Sequence, residues 1–148
     1  MSEHHATIDW KRGSAEFTYD SYSRDHTWSF EGGVQVAASA APVYLGNASL
    51  IDPEKAYVAV LASCHMLTFL AIAARKRLVV DQYHDAAVGF LEKNQNGNLA
   101  VSRVVLKPRI LFGTSAPTSE ELKKLHSLAH GECFIANSVH TAITVESS

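Results

Sequence analysis

The chain has two cysteines, Cys64 and Cys133, and each lies close to a histidine in an apolar setting. Cys64 sits in Ala-Ser-Cys-His-Met-Leu-Thr-Phe-Leu, and Cys133 in Ala-His-Gly-Glu-Cys-Phe-Ile-Ala-Asn-Ser-Val. Two thiols from distant segments serve either as a redox couple or as part of a metal site. With His65 and His130 they make four ligands of a kind zinc accepts. No Cys-x-x-Cys pair is present, and adjacent helical positions such as 64 and 65 diverge by about 100°, which chelates poorly. The redox couple is therefore the favoured reading over metal, and no cofactor is expected. His65 reads as a structural or interface residue. His4, His5, His26, His84, His126 and His140 show no mutual spacing that demands a site, and solvated or capping roles suffice for them.

The thiols must be placed by elements that the sequence marks clearly. Asp52-Pro53-Glu54 is a helix start: Asp52 caps free amides, Pro53 suits the first helical position, and Glu54 complements the dipole. That helix carries Cys64 and is expected to run to Arg75-Lys76-Arg77, whose charges suit a carboxyl end. Thr118-Ser119-Glu120-Glu121 has the spacing of a capping box, and Leu122, Leu125, Leu128 and Ala129 give the next helix an apolar face. Gly131 is expected to interrupt it, with a turn or short helix over 133–139. Strands are expected at 6–10, 15–22, 26–30 and 34–36, then at 78–91 and 98–112, joined through Asn94-Gln95-Asn96-Gly97. A last strand is expected at 141–145. Ser39 to Ile51 reads as a loop of small residues. The class is α+β, and 148 residues make one domain, 1–148, able to bury a core without disulfides.

Composition narrows the function. Hydrophobic residues make up 47% and charged residues 19%, below the usual quarter, which suggests surface buried in an oligomer. The net charge is −2 with no basic block, so nucleic acid is not an expected partner. Met-Ser-Glu-His-His has no secretory pattern, which makes a cytoplasmic location the expectation. In such a reducing compartment a cysteine pair is more often redox-active or metal-bound than a staple. The 19 residues from Ala56 to Ala74 hold no Asp, Glu, Lys or Arg and match a membrane span in length. Ser63, Cys64, His65 and Thr68 interrupt the run, and it reads instead as the buried central helix of a core, with no membrane involved.

These motifs resemble the family of osmotically inducible protein C and the organic hydroperoxide resistance proteins. The resemblance rests on Asp52-Pro53-Glu54, on Cys64 ten residues after that glutamate, on Ala129-His130-x-x-Cys133, and on Arg24-Asp25 in the early hairpin. The order of elements fits from end to end. The resemblance implies an OsmC-like fold, with antiparallel sheets around a long buried central helix, assembled as an intertwined homodimer with shared active sites. It implies a thiol peroxidase in which Cys64 is peroxidatic, Cys133 resolves it, and Arg24 and Glu54 hold and activate the thiolate. The implied reductant is a dithiol, such as a dihydrolipoyl group on a carrier protein. The chain departs from the hydroperoxide-resistance branch in Tyr22-Ser23-Arg24-Asp25-His26, in His65 after Cys64, and in Phe-Ile-Ala-Asn-Ser after Cys133. It looks closer to the wider osmotically inducible group.

The chemistry of the residues agrees with those implied roles. A peroxidatic thiol reacts as thiolate, which a nearby guanidinium stabilises. Its sulfenic acid condenses with a second thiol, which guards against over-oxidation, and an external dithiol resets the disulfide. Glu54 can orient an arginine through a bidentate pair. Ten residues at 1.5 Å rise put Glu54 about 15 Å from its own Cys64 along one helix. An antiparallel partner helix would bring the other chain's Glu54 there instead. Trp28, Phe30, Tyr57, Phe69 and Phe134 read as core or dimer packing, some of them lining an apolar mouth. The alternative function is a noncatalytic stress-related protein that binds an apolar ligand or partner.

Overall fold

The structure is a computed structural model and describes residues 1–147. The chain divides into two compact units, 1–56 and 57–148. In the first, β1 (Ala6–Asp9), β2 (His26–Phe30) and β3 (Gln35–Ala38) form an antiparallel sheet in that order. Glu31-Gly32-Gly33 turns the chain between β2 and β3, with Gly32 and Gly33 at φ of 81° and 83°.

Residues 15–22, expected as a strand, instead form a compact loop. The Ser21 and Tyr22 amides donate to the Thr18 carbonyl, and the Ser21 hydroxyl bonds Glu16 and Thr18. These local bonds offer the backbone an alternative to a ladder. Trp10, Phe17 and Tyr22 then pack on one another with ring centroids 5.2–6.0 Å apart.

The helix α1 (Pro53–Arg75) begins as its sequence dictates. Asp52 accepts from the Lys55 amide at 2.8 Å and pairs with the Lys55 ammonium at 2.9 Å. Burial alone would raise this carboxyl, but the two Lys55 interactions outweigh it and hold it below its ordinary value. At the other end Arg77 takes a left-handed φ of 59°. The Leu78 amide reaches the Ala73 carbonyl at 2.9 Å, and the Arg77 amide reaches Ala74 at 3.0 Å. That is a Schellman stop built without glycine.

In the second unit the span 78–112 breaks into four strands rather than two. They are β4 (Val80–Asp85), β5 (Val88–Lys93), β6 (Leu99–Leu106) and β7 (Pro108–Phe112). The Asn94–Gly97 turn joins β5 to β6 as expected, with the Asn94 side chain accepting from the amides of Asn96 and Asn98. β4 pairs with β7, while β5 and β6 form a second sheet with β8 (Ala142–Val145), which lies parallel to β6. The helix α2 (Ser119–Glu132) starts on the complete Thr118–Glu121 capping box and continues through Gly131.

Two apolar clusters hold this unit together. Phe69, Ile72 and Ala73 of α1 pack with Leu125 and Ala129 of α2 over the β4–β7 sheet. Leu61 packs with Val104 and Leu106, and Ile143 and Val145 of β8 close over them. Non-directional burial of this kind supplies most of the stability of a helix on a sheet. The helix α1 is nonetheless not buried on every side. Its core stripe is Leu61, His65, Phe69, Ile72 and Ala73, whereas Leu67 on another face is 60% exposed.

Candidate active site

Cys64 lies on the open face of α1. Ala59, Val60, Ser63, Cys64, Leu67, Thr68 and Ala71 recur at helical spacing and form the floor of a groove of about 1040 Å³. Phe134 and Ile135, just after α2, supply a wall. An exposed Arg75–Glu132 ion pair, 3.1 Å long, borders the groove. Cys64 is partly exposed there, and its own carbonyl accepts from the Thr68 hydroxyl at 2.9 Å.

Cys133 caps the end of α2 and is 1% exposed. Both cysteines are free thiols, and Cys64 is a close neighbour of the Cys133 thiol. Burial, and then its neighbour Cys64, push the Cys133 thiol above its ordinary value. The Ala136 amide donates to its sulfur at 3.4 Å. The couple is thus unequal. Cys133 stays protonated and sheltered, while Cys64 meets whatever enters the groove.

One residue beyond Cys64, the His65 ring turns into the core and bonds His126 of α2, with Nε2 and Nδ1 3.0 Å apart. The rings stack with centroids 5.3 Å apart and planes 13° from parallel, and His126 stacks in turn on Phe69 at 4.7 Å. His65 and His126 are 2% and 4% exposed, so each prefers to be neutral. Both are pushed down to about 4, His65 by burial and then by His126 and His130, His126 by burial. Reading His126 as solvated or capping is therefore wrong. The spacing held the signal: His126 is four residues after Leu122 and three before Ala129, on the core stripe of α2. His130 is exposed while Cys133 is buried, so the two share no face. Among the described residues no group of three His, Cys, Asp or Glu converges as a metal site.

Arg24 and Glu54 belong to the first unit, where both line a cavity of about 570 Å³ with Ile8, Trp10, Phe17 and Tyr22. The Arg24 guanidinium donates to the carbonyls of Tyr22 and Tyr19 and lies 3.7 Å over the Tyr22 ring. Such a stacked, doubly tethered guanidinium is held in one place. Among the described residues it forms no ion pair with Glu54. The sequence offered the Arg24 turn but not its aromatic frame, because Phe17 and Tyr22 sit in the segment whose side chains suggested a strand.

Four sequence-selected residues are therefore found as two pairs, Cys64 with Cys133 and Arg24 with Glu54. A family model described as OsmC-like protein matches residues 46–148. An OsmC-like protein of unknown function from Vibrio cholerae is 51% identical over 100% of both chains, with a TM-score of 0.96. An organic hydroperoxide resistance protein from Elizabethkingia anophelis, solved with thiocyanate bound, is 18% identical. The match covers 99% of this chain and 94% of that one, with a TM-score of 0.72. A putative organic hydroperoxide resistance protein from Vibrio cholerae, with captopril in one of its active sites, is 19% identical. That match covers 100% of this chain and 92% of that one, again with a TM-score of 0.72. No curated protein matches. The two small sheets beside paired helices, the sequence match over most of the chain and the full-length likeness make this chain a member of the OsmC-like family.

Proposed function

We propose that this protein is a thiol peroxidase that reduces organic hydroperoxides through Cys64 and Cys133. The observation that carries the reading is the unequal thiol pair: a groove-facing Cys64 beside a buried, protonated Cys133. The Cys64 thiolate attacks one peroxide oxygen, the O–O bond breaks, and the alcohol leaves after taking up a proton. Cys64 is then a sulfenic acid. The Cys133 sulfur displaces its hydroxyl as water and forms the disulfide. An external dithiol reduces that bond by two exchanges and is itself oxidised. A dihydrolipoyl group on a carrier protein is the dithiol class that the family resemblance suggests. The apolar floor of the groove suits an organic rather than an inorganic peroxide. Two proteins of the same fold are described as hydroperoxide resistance proteins, which supports the reading.

The working unit in this proposal is a homodimer, and a reducing compartment such as the cytoplasm suits its thiols. Glu54 and Cys64 are ten residues apart on one continuous helix, about 15 Å along its axis. An antiparallel second copy would cover the open stripe of α1 and offer the partner's Arg24 and Glu54 to the groove. The test is consumption of an alkyl hydroperoxide and of hydrogen peroxide, side by side, with excess dihydrolipoamide. Many turnovers with the alkyl peroxide are expected. Consumption that stops at one equivalent per chain would overturn the catalytic reading and leave a binding role.

A further inference from the structure

We propose that the buried His65–His126 bond is the positioning device that holds Cys64 opposite Cys133. His65 follows Cys64 directly on α1, and His126 lies two turns before Cys133 on α2. The apolar contacts between the helices, Phe69, Ile72 and Ala73 against Leu125 and Ala129, are non-directional. They allow the helices to slide or roll by a fraction of a residue. A hydrogen bond between two rings stacked 13° from parallel does not.

Among the described residues the other side-chain hydrogen bond between α1 and α2 is Arg75–Glu132, which is solvent-exposed and correspondingly weak as a constraint. The histidine bond is retained at a cost. Among the described residues Nε2 of His126 is buried without a partner, whichever ring donates the shared proton. An all-apolar contact would carry no such penalty, so packing alone does not account for the pair. Disulfide formation is acutely sensitive to the approach of its two sulfurs, and a rigid frame raises the effective concentration of one thiol at the other.

This inference rests on the Cys64–Cys133 couple of the proposed function, but its test uses no peroxide. In a glutathione buffer the two thiols and one glutathione disulfide yield the protein disulfide and two glutathiones. The equilibrium constant is the effective concentration of the pair. His126→Phe keeps a ring against Phe69 and removes the bond, whereas His126→Asn keeps an amide near the Nδ1 position. His65→Leu breaks the bond from the other side, so that a variant that fails to fold leaves a second comparison.

In folded protein, His126→Phe and His65→Leu are expected to lower the effective concentration about tenfold. That raises the disulfide's potential by about 30 mV. His126→Asn is expected to stay within about twofold of wild type. A wild-type value in folded His126→Phe or His65→Leu would overturn the inference, and so would an equal loss in the Phe and Asn variants. A wild type that forms no Cys64–Cys133 disulfide in this buffer would remove the premise itself. Inertness toward peroxide with the disulfide equilibrium intact would sink the peroxidase reading alone.

Discussion

Cys133 lies inside the protein beside Cys64, so of two neighbouring sulfurs one is hidden and the other reachable. In native protein at neutral pH, iodoacetamide is expected to modify Cys64 at least about tenfold faster than Cys133. Peptide mapping after brief labelling would show this, and equal labelling would count against the assigned roles. Cys64→Ser is expected to abolish peroxide reduction. Cys133→Ser is expected to keep the first oxidation and accumulate sulfenic or sulfinic acid on Cys64.

The Arg24 guanidinium is tethered at the wall of a cavity that Glu54 shares. If that cavity of one copy serves the groove of another, Arg24→Ala slows alkylation of Cys64 about tenfold at neutral pH. Glu54→Ala has a smaller effect, because its charge opposes a thiolate and it acts through the arginine. Labelling rates against pH, measured in a Cys133→Ser background, check both. Superimposable curves for Arg24→Ala and its parent would take Arg24 out of the site.

The open stripe of α1 gives a direct test of assembly. Leu67 is 60% exposed at the middle of an apolar groove floor. Leu67→Glu is expected to convert a dimer to monomer at micromolar concentration, as seen by sedimentation, since an unpaired carboxylate is costly in an apolar interface. A wild type that sediments as a monomer would remove the shared-site proposal.

The histidine pair predicts how stability depends on pH. Both rings titrate near 4 in the native state against an ordinary value of 6.5. Between those values the unfolded chain binds protons that the native chain does not. Stability is therefore fully present above about pH 6.5 and falls as the pH drops toward 4, by up to about 1.4 kcal/mol per unit for each histidine. Urea unfolding at a series of pH values would show the slope, and His126→Phe should flatten it. A flat profile between pH 7 and 5 in wild type would contradict the buried neutral pair.

Gly46 precedes α1 in a loop with no room for a side chain. A Cβ there would lie 1.7 Å from the Ala40 carbonyl oxygen, which is backbone and cannot rotate away. Gly46→Ala is expected to destabilise the fold by about 3 kcal/mol, read as a lowered midpoint in urea. An unchanged midpoint would mean the loop is held differently.

What the sequence reveals follows the range of the forces involved. The start of α1 at Asp52-Pro53, its stop near Arg77, the β5–β6 hairpin and the capping box at Thr118 all depend on residues within a few positions of one another. Each is readable for that reason. The pairing of β4 with β7 is not, because it is decided by burial under Phe69 and Leu125 from two helices. His126 belongs to the same class: its helix stripe is local, but its partner is 61 positions away. The site shows the same division. Cys64 and Cys133 stand out by type, whereas their unequal exposure depends on where α2 ends.

The parallel pairing of β8 with β6 has a consequence for biosynthesis. Ile143 and Val145 close the cluster around Leu61, Val104 and Leu106, and the Thr141 hydroxyl meets that of Tyr57 at 2.6 Å. As the chain leaves the ribosome, the inner face of α1 thus waits for the last strand before it is covered. Cys64, made early, also waits for Cys133. On the proposed peroxidase reading its thiol has until then no resolving partner in its own chain, and a nascent chain arrested before residue 133 would be open to irreversible oxidation.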